Sequence, residues 1–201
     1  SGIGRAWAKA FNQEGANVIA CDINQEGLFT LEELGISTSV TDVSDDQQVK
    51  DLINLAIEKT GRLDVVFNNA GMGYGHKLEE SPVGAFEHHV AVHLFGCVYG
   101  MKHAIPQMRK QGSGRIVNTI SRNAETNTYG TSAYSAAKAA IWSATRVVAY
   151  EVSDTDILIN MIIPGPTNTG IWGKDMKHLQ SPEVTYPTAR MLATLKEGGP
   201  N

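Results

Sequence analysis

The sequence predicts an α/β fold, a doubly wound parallel sheet that is Rossmann-like with three layers, α/β/α. Short runs rich in β-branched residues recur along the chain, and they are almost wholly apolar, as expected of strands covered on both faces. Each run is followed by a longer segment with helical periodicity. Strict alternation of strand and helix implies right-handed crossovers into a parallel sheet. No linker, low-complexity tract or repeat interrupts the sequence, so we expect one domain over residues 1–201.

The elements are predicted in order from these patterns. The predicted strands are residues 17–22, 36–40, 63–69, 114–121 and 156–165. The predicted helices are residues 3–14, 25–34, 45–60, 83–110 and 132–152. Ser44 or Asp45 can cap the third helix and Gly61 can end it. Apolar residues spaced three or four apart form one stripe along the fourth helix, namely Phe86, Val90, Leu94, Cys97, Met101 and Ile105. We expect the tail from Ser181 to Asn201 to be a helix that closes on EGGPN.

The composition excludes several classes of function. A formal net charge of -4 argues against nucleic acid as the main partner, because such proteins carry a basic face. No apolar run approaches the roughly 18 to 20 residues that span a bilayer, and the first residues lack the continuous apolar segment of a signal peptide, so we expect a soluble cytoplasmic protein without a membrane partner. Cys21 and Cys97 fit neither a disulfide framework nor a metal site and are expected to be buried thiols. His89 and His93 lie four apart but lack a third ligand, so no metal is expected.

The stretch SGIG at residues 1–4 suggests a dinucleotide site. Asp22 follows Gly2 by 20 positions at the end of the next predicted strand. In the dinucleotide fingerprint, helix N-terminal amides hold the pyrophosphate and such a carboxylate binds the ribose hydroxyls. The carboxylate would repel the 2′-phosphate of NADP, and neither Ser1 nor Ile23 supplies a compensating base, so NAD is favoured over NADP. The alternative is that Asp22 is a plain strand-end cap.

The stretch YSAAK suggests acid–base chemistry. On a helix, Tyr134 and Lys138 share one face, so the ammonium can lie near the phenol. A nearby cation favours the phenolate and lowers the pKa of tyrosine, which suits proton transfer in carbonyl reduction or alcohol oxidation. A tyrosine and a lysine at this spacing also occur as an ordinary surface pair.

Taken together, the motifs resemble the short-chain dehydrogenases/reductases, in the smaller single-domain branch of that family. The resemblance covers essentially the whole chain. In the family's order, the motifs are SGIG, DV at 42–43, NNAG at 68–71, a serine 13 positions before the tyrosine, YSAAK, and PG with a threonine four after the glycine. The resemblance implies an oxidoreductase that transfers a hydride between NAD(H) and a secondary alcohol or ketone.

The same resemblance implies roles for individual residues. Tyr134 would be the catalytic acid/base, Lys138 would bind the nicotinamide ribose and lower the tyrosine pKa, and Ser121 would polarise the substrate oxygen. The implied cofactor residues, from the pyrophosphate to the nicotinamide end, are Gly2, Ile3, Gly4, Asp22, Ile23, Asp42, Val43, Asn69, Ala70, Gly71, Tyr134, Lys138, Pro164, Gly165, Thr167 and Thr169. The plainer alternatives are a strand-end turn for NNAG and a helix-terminating PG.

His93 departs from the family pattern. Similar members carry an asparagine at this position, which helps to hold a water that links the lysine to solvent as a proton relay. Histidine can both donate and accept, and it titrates close to neutral pH. Three interpretations stay open: a substituted relay in which His93 joins the catalytic set, a satisfied core histidine, or an impaired enzyme. The last motivates a competing function, a dinucleotide-binding sensor or scaffold without turnover.

Substrate specificity is expected from the segments 72–80, 122–131 and 168–185. Their candidate residues are Met72, Tyr74, His76, Asn123, Tyr129, Ile171, Trp172 and Met176. The resemblance also suggests a homodimer or homotetramer packed through the helices at 83–110 and 132–152. The small residues there fit close helix contacts between subunits, although the same faces could simply meet the sheet.

SGIG corresponds to only the rear of a glycine-rich turn. The strand expected before it would lie in the centre of the sheet, between the strands at 17–22 and 63–69, and a closing strand is expected after EGGPN. Because unpaired backbone edges are costly, we expect the 201 residues to be part of a longer chain, truncated at both ends. Alone, they should fold poorly and bind NAD weakly.

Overall fold

The structure, a computed structural model, describes residues 1–73, 75–126 and 128–201. The helices are α1 (Gly2–Gln13), α2 (Gln25–Glu32), α3 (Asp46–Thr60), α4 (Ala85–His89), α5 (Gly96–Gln111), α6 (Ser132–Glu151) and α7 (Tyr186–Ala193). The strands are β1 (Ile19–Asp22), β2 (Ser37–Val40), β3 (Val65–Asn68), β4 (Ser113–Thr119) and β5 (Asp156–Ile162). No helix in the described ranges is long and apolar enough to cross a membrane.

The strands form two parallel sheets, β1–β2 and β3–β4–β5. The predicted parallel arrangement is confirmed, and within the described residues no ladder joins β1 to β3. In the second sheet, Asn68 pairs with Asn118, and Thr119 pairs with Ile162. The carboxyl ends of β3, β4 and β5 therefore lie at the same edge, and the loops that follow them meet there.

Helices cover both faces of the second sheet and give the predicted three layers. On one face, Ile116 and Ile157 pack with residues of α3, α5 and α6. On the other face, Val117 packs with Trp7 of α1 and with α7. Neighbouring strand residues point to opposite faces, so both must be apolar in a strand covered on both sides. This requirement explains the continuous apolar runs in the sequence.

The predicted ends of α3 are confirmed. Asp45 is the N-cap, and its carboxylate accepts hydrogen bonds from the backbone amides of Gln47 and Gln48. Gly61 ends the helix with a φ of 76°, a left-handed conformation that glycine adopts without steric cost. The sequence signals sufficed here because both are local to the chain.

Two predicted helices are corrected. Residues 83–110 do not form one helix, since a π-helical segment over Val90–Phe95 separates α4 from α5. A π turn inserts one residue and rotates the following side chains, which places His93 in the interior. The tail 181–201 is α-helical only in α7, after a 3₁₀ turn over Pro182–Thr185.

The small residues of α5 and α6 were expected to pack either against a second subunit or against the sheet of the same chain. A Cβ added at Gly100 would overlap the side chain of Asn68, and one added at Gly96 would lie 3.0 Å from Val43 Cγ2. Ala137 of α6 is buried. These residues meet the sheet and its loops within the same chain, so their small size is explained without a second subunit.

Candidate active site

The carboxyl edge of the sheets brings the N-terminus of α1 against two loops. A Cβ at Gly2 would lie 3.0 Å from Thr169 Cβ, and one at Gly4 would lie 2.9 Å from Asn69 Nδ2. Gly2 also has a φ of 50°, which favours glycine. The structure thus gathers three of the predicted cofactor motifs, and larger side chains at either glycine would fill the space between them. Ile3 instead packs into the core with Trp7.

Asp22 ends β1 beside the start of α1. Its Oδ2 lies 3.1 Å from the Ser1 backbone nitrogen, and its Oδ1 accepts a hydrogen bond from the Asn24 amide at 3.1 Å. The side chain of Ile23 is 70% exposed. A carboxylate next to the N-terminus of a helix is suited to ribose hydroxyls that neighbour a helix-bound pyrophosphate. The same Asn24 contact also fits the alternative of a strand-end cap.

Asp42 and Val43 lie in the loop after β2. The Asp42 carboxylate accepts hydrogen bonds from the Ser44 amide at 2.9 Å and the Ser44 hydroxyl at 2.7 Å. These bonds lower the pKa of Asp42. Val43 packs against Gly96. The loop is therefore fixed internally, and Val43 joins it to the start of α5.

The NNAG stretch is held by a polar network. Asn68 donates from Nδ2 to Asn118 Oδ1 at 2.7 Å, and Asn118 donates from its own Nδ2 to Thr145 Oγ1 at 2.9 Å. The Thr119 hydroxyl donates to Asn69 Oδ1 at 3.2 Å. Asn118 is fully buried, so this network fixes the end of β3 relative to β4 and α6. Ala70 and Gly71 follow as exposed residues.

Three residues of the predicted catalytic set, Ser121, Tyr134 and Lys138, come together. Ser121 follows β4, and its Oγ accepts a hydrogen bond from the Asn123 amide at 3.2 Å. Tyr134 and Lys138 lie one turn apart on α6, and Lys138 Nζ is 5.6 Å from the centroid of the Tyr134 ring. Lys138 Nζ donates to the Thr119 carbonyl at 2.7 Å, and the residue is buried. An i, i+4 pair whose lysine reaches inward to the sheet is not an ordinary surface pair.

Burial changes the expected protonation of this set. Desolvation raises the pKa of Tyr134, and a hydrogen bond with Ser121 lowers it only in part. We expected Lys138 to lower the pKa of Tyr134. In the structure this pKa is raised, because the loss of water around the phenol has the larger effect. Desolvation also lowers the pKa of Lys138 to about 8. The tyrosine therefore carries its proton at neutral pH.

His93 is buried and neutral. Desolvation is the main cause that lowers its pKa to about 3, and the charge of Lys138 contributes. The expectation of a group titrating near neutrality is wrong, because a sequence does not show how far a side chain is buried. His93 Nε2 lies 3.2 Å from the Met72 carbonyl, and its ring meets the Tyr134 ring edge-on at 5.1 Å between centroids.

The Nδ1 atom of His93 is buried and has no hydrogen-bond partner among the described residues. A Cβ at Gly71 would lie 3.1 Å from this atom and 2.8 Å from His93 Cε1. Glycine at this position therefore makes room for the imidazole. The ring bridges the loop after β3 and the tyrosine of α6, where a smaller asparagine would leave open space.

The loop after β5 carries the residues predicted for the nicotinamide end. The Thr167 hydroxyl donates to the Gly165 carbonyl at 2.8 Å and accepts from Gln180 Nε2 at 3.0 Å. Thr169 lies against Gly2, while Pro164 lies two residues after the end of β5. The loop is thus tied to α1 and to the segment that leads to α7.

Two clefts border this region. One, of about 630 Å³, is lined in part by His76, Asn123 and Tyr129. The other, of about 610 Å³, is lined in part by Gly2 and Thr169. Residues of all three predicted specificity segments therefore line these clefts, whereas Ser121, Tyr134 and Lys138 are not among the described residues that line them. Tyr74, also predicted there, lies outside the described residues.

Several residues of the region were not singled out from the sequence. Asn118 and Thr119 were included only in a predicted strand, because nothing in the pattern marks a buried polar network. Arg5, Lys9 and Lys174 line the second cleft with Gly2. Arg5 and Lys9 lie four apart on α1, a spacing that could have indicated them. The same spacing is common on solvent-exposed helix faces, so it does not single out a site.

Comparisons with known proteins place the chain among enzymes. The family model described as short chain dehydrogenase matches residues 1–180. Levodione reductase of Leifsonia aquatica is 36% identical over 188 residues, which cover 89% of this chain and 70% of the relative. D-beta-hydroxybutyrate dehydrogenase of Rhizobium meliloti (strain 1021) is 32% identical over 173 residues, which cover 82% of this chain and 67% of the relative.

Solved structures agree with these sequence matches. The crystal structure of levodione reductase superimposes with a TM-score of 0.88 at 29% identity, covering 96% of this chain and 87% of that one. A short-chain dehydrogenase from Streptomyces avermitilis gives a TM-score of 0.85 at 28% identity, covering 98% and 82%. With its parallel sheets, its flanking helices and the matching family model, the chain belongs to the short-chain dehydrogenase/reductase family of oxidoreductases.

Proposed function

We propose that the protein transfers a hydride between NAD(H) and a secondary alcohol or ketone, with Tyr134 as the acid/base. The observation that carries the proposal is the grouping of Ser121, Tyr134 and Lys138, in which the lysine is buried against the tyrosine ring. The names of two relatives, levodione reductase and D-beta-hydroxybutyrate dehydrogenase, are consistent with this substrate class. A cytoplasmic location is part of the same proposal. Both cysteines are free thiols, which is typical of proteins in a reducing compartment.

The residues at the start of α1 fit a dinucleotide. Gly2 and Gly4 leave space against Thr169 and Asn69 that side chains would fill. The first backbone amides of α1 have no partner within the helix and would donate to a pyrophosphate. Asp22 would bind the adenosine ribose. These are the residues that would hold the cofactor, which supplies the hydride chemistry when bound.

Tyr134 and Ser121 would act on the substrate oxygen. Because burial raises the pKa of Tyr134, the phenol keeps its proton at neutral pH and can donate it to a carbonyl oxygen as negative charge develops there. The Ser121 hydroxyl would donate a second hydrogen bond to the same oxygen and orient it. In the oxidation direction Tyr134 would first have to lose its own proton, and the resulting phenolate would take up the proton of the alcohol.

Lys138 would hold the tyrosine and the ribose in place. Its ammonium is anchored on the Thr119 carbonyl, so the lysine is fixed relative to β4 before any ligand binds. A positive charge at this position would stabilise the phenolate that remains after proton donation. Its remaining N–H groups can donate to the hydroxyls of a ribose.

A panel of ketones tests the proposal. NADH and NADPH oxidation should be measured with each ketone, and the binding of both cofactors should be measured in parallel. Turnover of at least one ketone is the expected result. Binding of NADH without any turnover would favour the competing function, a sensor or scaffold that holds the dinucleotide.

We expect Asp22→Asn to reduce the preference for NAD over NADP. The variant removes the negative charge that would repel the 2′-phosphate. The ratio of kcat/KM for NADP to that for NAD should rise by roughly tenfold, which corresponds to about 1.4 kcal/mol. Glu26→Gln removes an exposed carboxylate from the neighbouring helix α2 and is the control. An unchanged ratio in Asp22→Asn would show that Asp22 is only a strand-end cap.

We expect His93→Asn to leave the affinity for NADH intact and to shift the pH dependence of turnover. His93 is neutral, so its part in a relay would be to bind a bridging water through Nδ1 rather than to change charge. An asparagine would offer different groups at a different distance from Lys138. His103→Asn, which alters a histidine paired with Asp46, is the control. An unchanged pH dependence of turnover in His93→Asn would contradict a role of His93 in the relay.

A homodimer or homotetramer remains part of the proposal. Phe95 of the π-helical segment and Val147 of α6 are large apolar side chains with exposed fractions of 42% and 55%. Apolar residues exposed on adjacent helices favour contact between copies. The support now comes from these side chains, since Gly96 and Gly100 pack inside the chain.

A further inference from the structure

Two stacked histidines lie beside the candidate active site. His89 ends α4, and His93 lies in the π-helical segment that follows. Their ring centroids are 5.9 Å apart with an angle of 26° between the planes. Both side chains are buried, with exposed fractions of 3% and 1%. The proposed relay involves only His93, so His89 has no assigned role.

His89 faces a carbonyl oxygen with each ring nitrogen. Nδ1 lies 2.8 Å from the Ala85 carbonyl oxygen, and Nε2 lies 3.0 Å from the Gly73 carbonyl oxygen. Carbonyl oxygens only accept hydrogen bonds. A neutral imidazole has one donor nitrogen, whereas an imidazolium has two. Both contacts can therefore be hydrogen bonds only when His89 carries a positive charge.

The contact with Gly73 holds a segment at the edge of the substrate region. Gly73 follows Met72, whose carbonyl faces His93. A Cβ added at Gly73 would overlap the Ile171 carbonyl oxygen, so the two backbones touch. Met72 and Ile171 both belong to segments predicted to set specificity. The His89–Gly73 bond thus joins α4 to the point where these two segments meet.

Titratable and charged groups face the stacked pair from the elements packed against α4. Elements packed against α4 contribute His93 from the π-helical segment and Tyr134 and Lys138 from α6. His93 stays neutral, and the charge of His89 is one cause of its low pKa. The charge of Lys138 opposes a second cation nearby, while the two carbonyl dipoles favour one on His89. Of the stacked pair, His89 is the ring with acceptors for two protons.

We propose that His89 is a positioning residue for the hydride transfer proposed above, and that its imidazolium fastens the Met72–Gly73 segment beside the substrate. When His89 loses a proton, one of its two hydrogen bonds becomes a contact between lone pairs, and the segment loosens. The substrate then binds less well. The effect falls on the KM for the carbonyl substrate, because the ring nitrogens of His89 face the Ala85 and Gly73 carbonyls and not Ser121, Tyr134 or Lys138.

The kinetic test compares His89→Gln with His88→Gln. His88 is the exposed neighbour on α4 and controls for the loss of a histidine. In the unmodified protein and in His88→Gln, the KM for a ketone should rise roughly tenfold between pH 6 and pH 9, the ratio expected for one charged hydrogen bond. In His89→Gln this rise should disappear, while the pH dependence of kcat remains. A KM profile that is the same in all three proteins overturns the proposal.

A second measurement does not depend on turnover. The ¹⁵N signals of the His89 ring in the unmodified protein should show two protonated nitrogens at pH 6 and one bare nitrogen at higher pH. A bare nitrogen already at pH 6 overturns the proposal. If no ketone is turned over, the proposed function fails, and the ring signals still decide whether His89 carries the charge that its two carbonyl partners require.

Discussion

Replacing Tyr134 with phenylalanine should lower turnover of a ketone by about 10³-fold, within the range of roughly 10² to 10⁴ expected when a general acid is removed. The variant loses only the phenol oxygen. The ring keeps its edge-on contact with His93 and its place under Lys138. Because the fold and the cofactor residues stay intact, the affinity for NADH should be nearly unchanged. Steady-state kinetics and NADH titration by fluorescence measure the two quantities.

The same helix offers a matched control for Tyr134→Phe. Tyr150 lies on α6 with an exposed fraction of 82%. Tyr150→Phe removes a phenol oxygen of the same kind at a distance from the site, and it should leave turnover and NADH affinity as they are. Substantial residual turnover in Tyr134→Phe would refute the acid/base role. An equal loss of NADH binding and turnover would show instead that the hydroxyl only supports the cofactor site.

The fold was predictable because its signals are local or periodic. Runs such as 156–165 identify buried strands by composition, and Asp45 and Gly61 mark helix ends by the chemistry of single residues. The π-helical segment at Val90–Phe95 was not predictable in this way. The apolar stripe continues through it at spacings of three and four, and a pattern of side chains does not reveal one additional backbone residue in a turn.

The sequence predicted where the candidate active-site residues lie, but it did not predict their protonation states. Helical spacing indicated that Tyr134 and Lys138 would lie together, the family resemblance added Ser121, and the structure brings the three residues together. The pKa of Tyr134 was expected to be lowered and is raised, and His93 was expected to titrate close to neutral pH but has a pKa lowered to about 3. Both differences have one physical reason. Both expectations considered charge and ordinary pKa values, whereas desolvation dominates once a side chain is buried. His89 was missed because its two carbonyl partners lie on different elements.

Replacing Lys138 with methionine should lower turnover by about 10²-fold and weaken NADH binding by roughly tenfold. Methionine is unbranched like lysine and only one heavy atom shorter, so it fills most of the same buried space. The variant removes the charge over the Tyr134 ring, the donors for a ribose and the hydrogen bond to the Thr119 carbonyl. Unlike Tyr134→Phe, this variant should therefore affect both turnover and cofactor affinity, which kinetics and titration distinguish.

The pH dependence of stability gives an independent check on the burial of Lys138. Its pKa falls from an ordinary value of 10.5 to about 8 in the folded protein. Between these two values the unfolded chain binds more protons than the folded one, so the free energy of unfolding gains from this group as pH rises through that window. Lys138→Met should lose this rise, whereas Lys102→Met, at an exposed lysine on α5, should keep it. Denaturant unfolding at pH 8 and pH 10 measures the difference.

The pH profile of turnover separates the role of the charge from that of the side chain. If the ammonium of Lys138 supports ketone reduction, kcat should fall as pH rises through about 8, where the lysine loses its proton. The Tyr134 phenol stays protonated across this range because burial raises its pKa. Lys138→Met should therefore have a low and flat profile near pH 8. A descending limb at the same pH in Lys138→Met would assign that titration to another group and contradict the proposed role of the lysine.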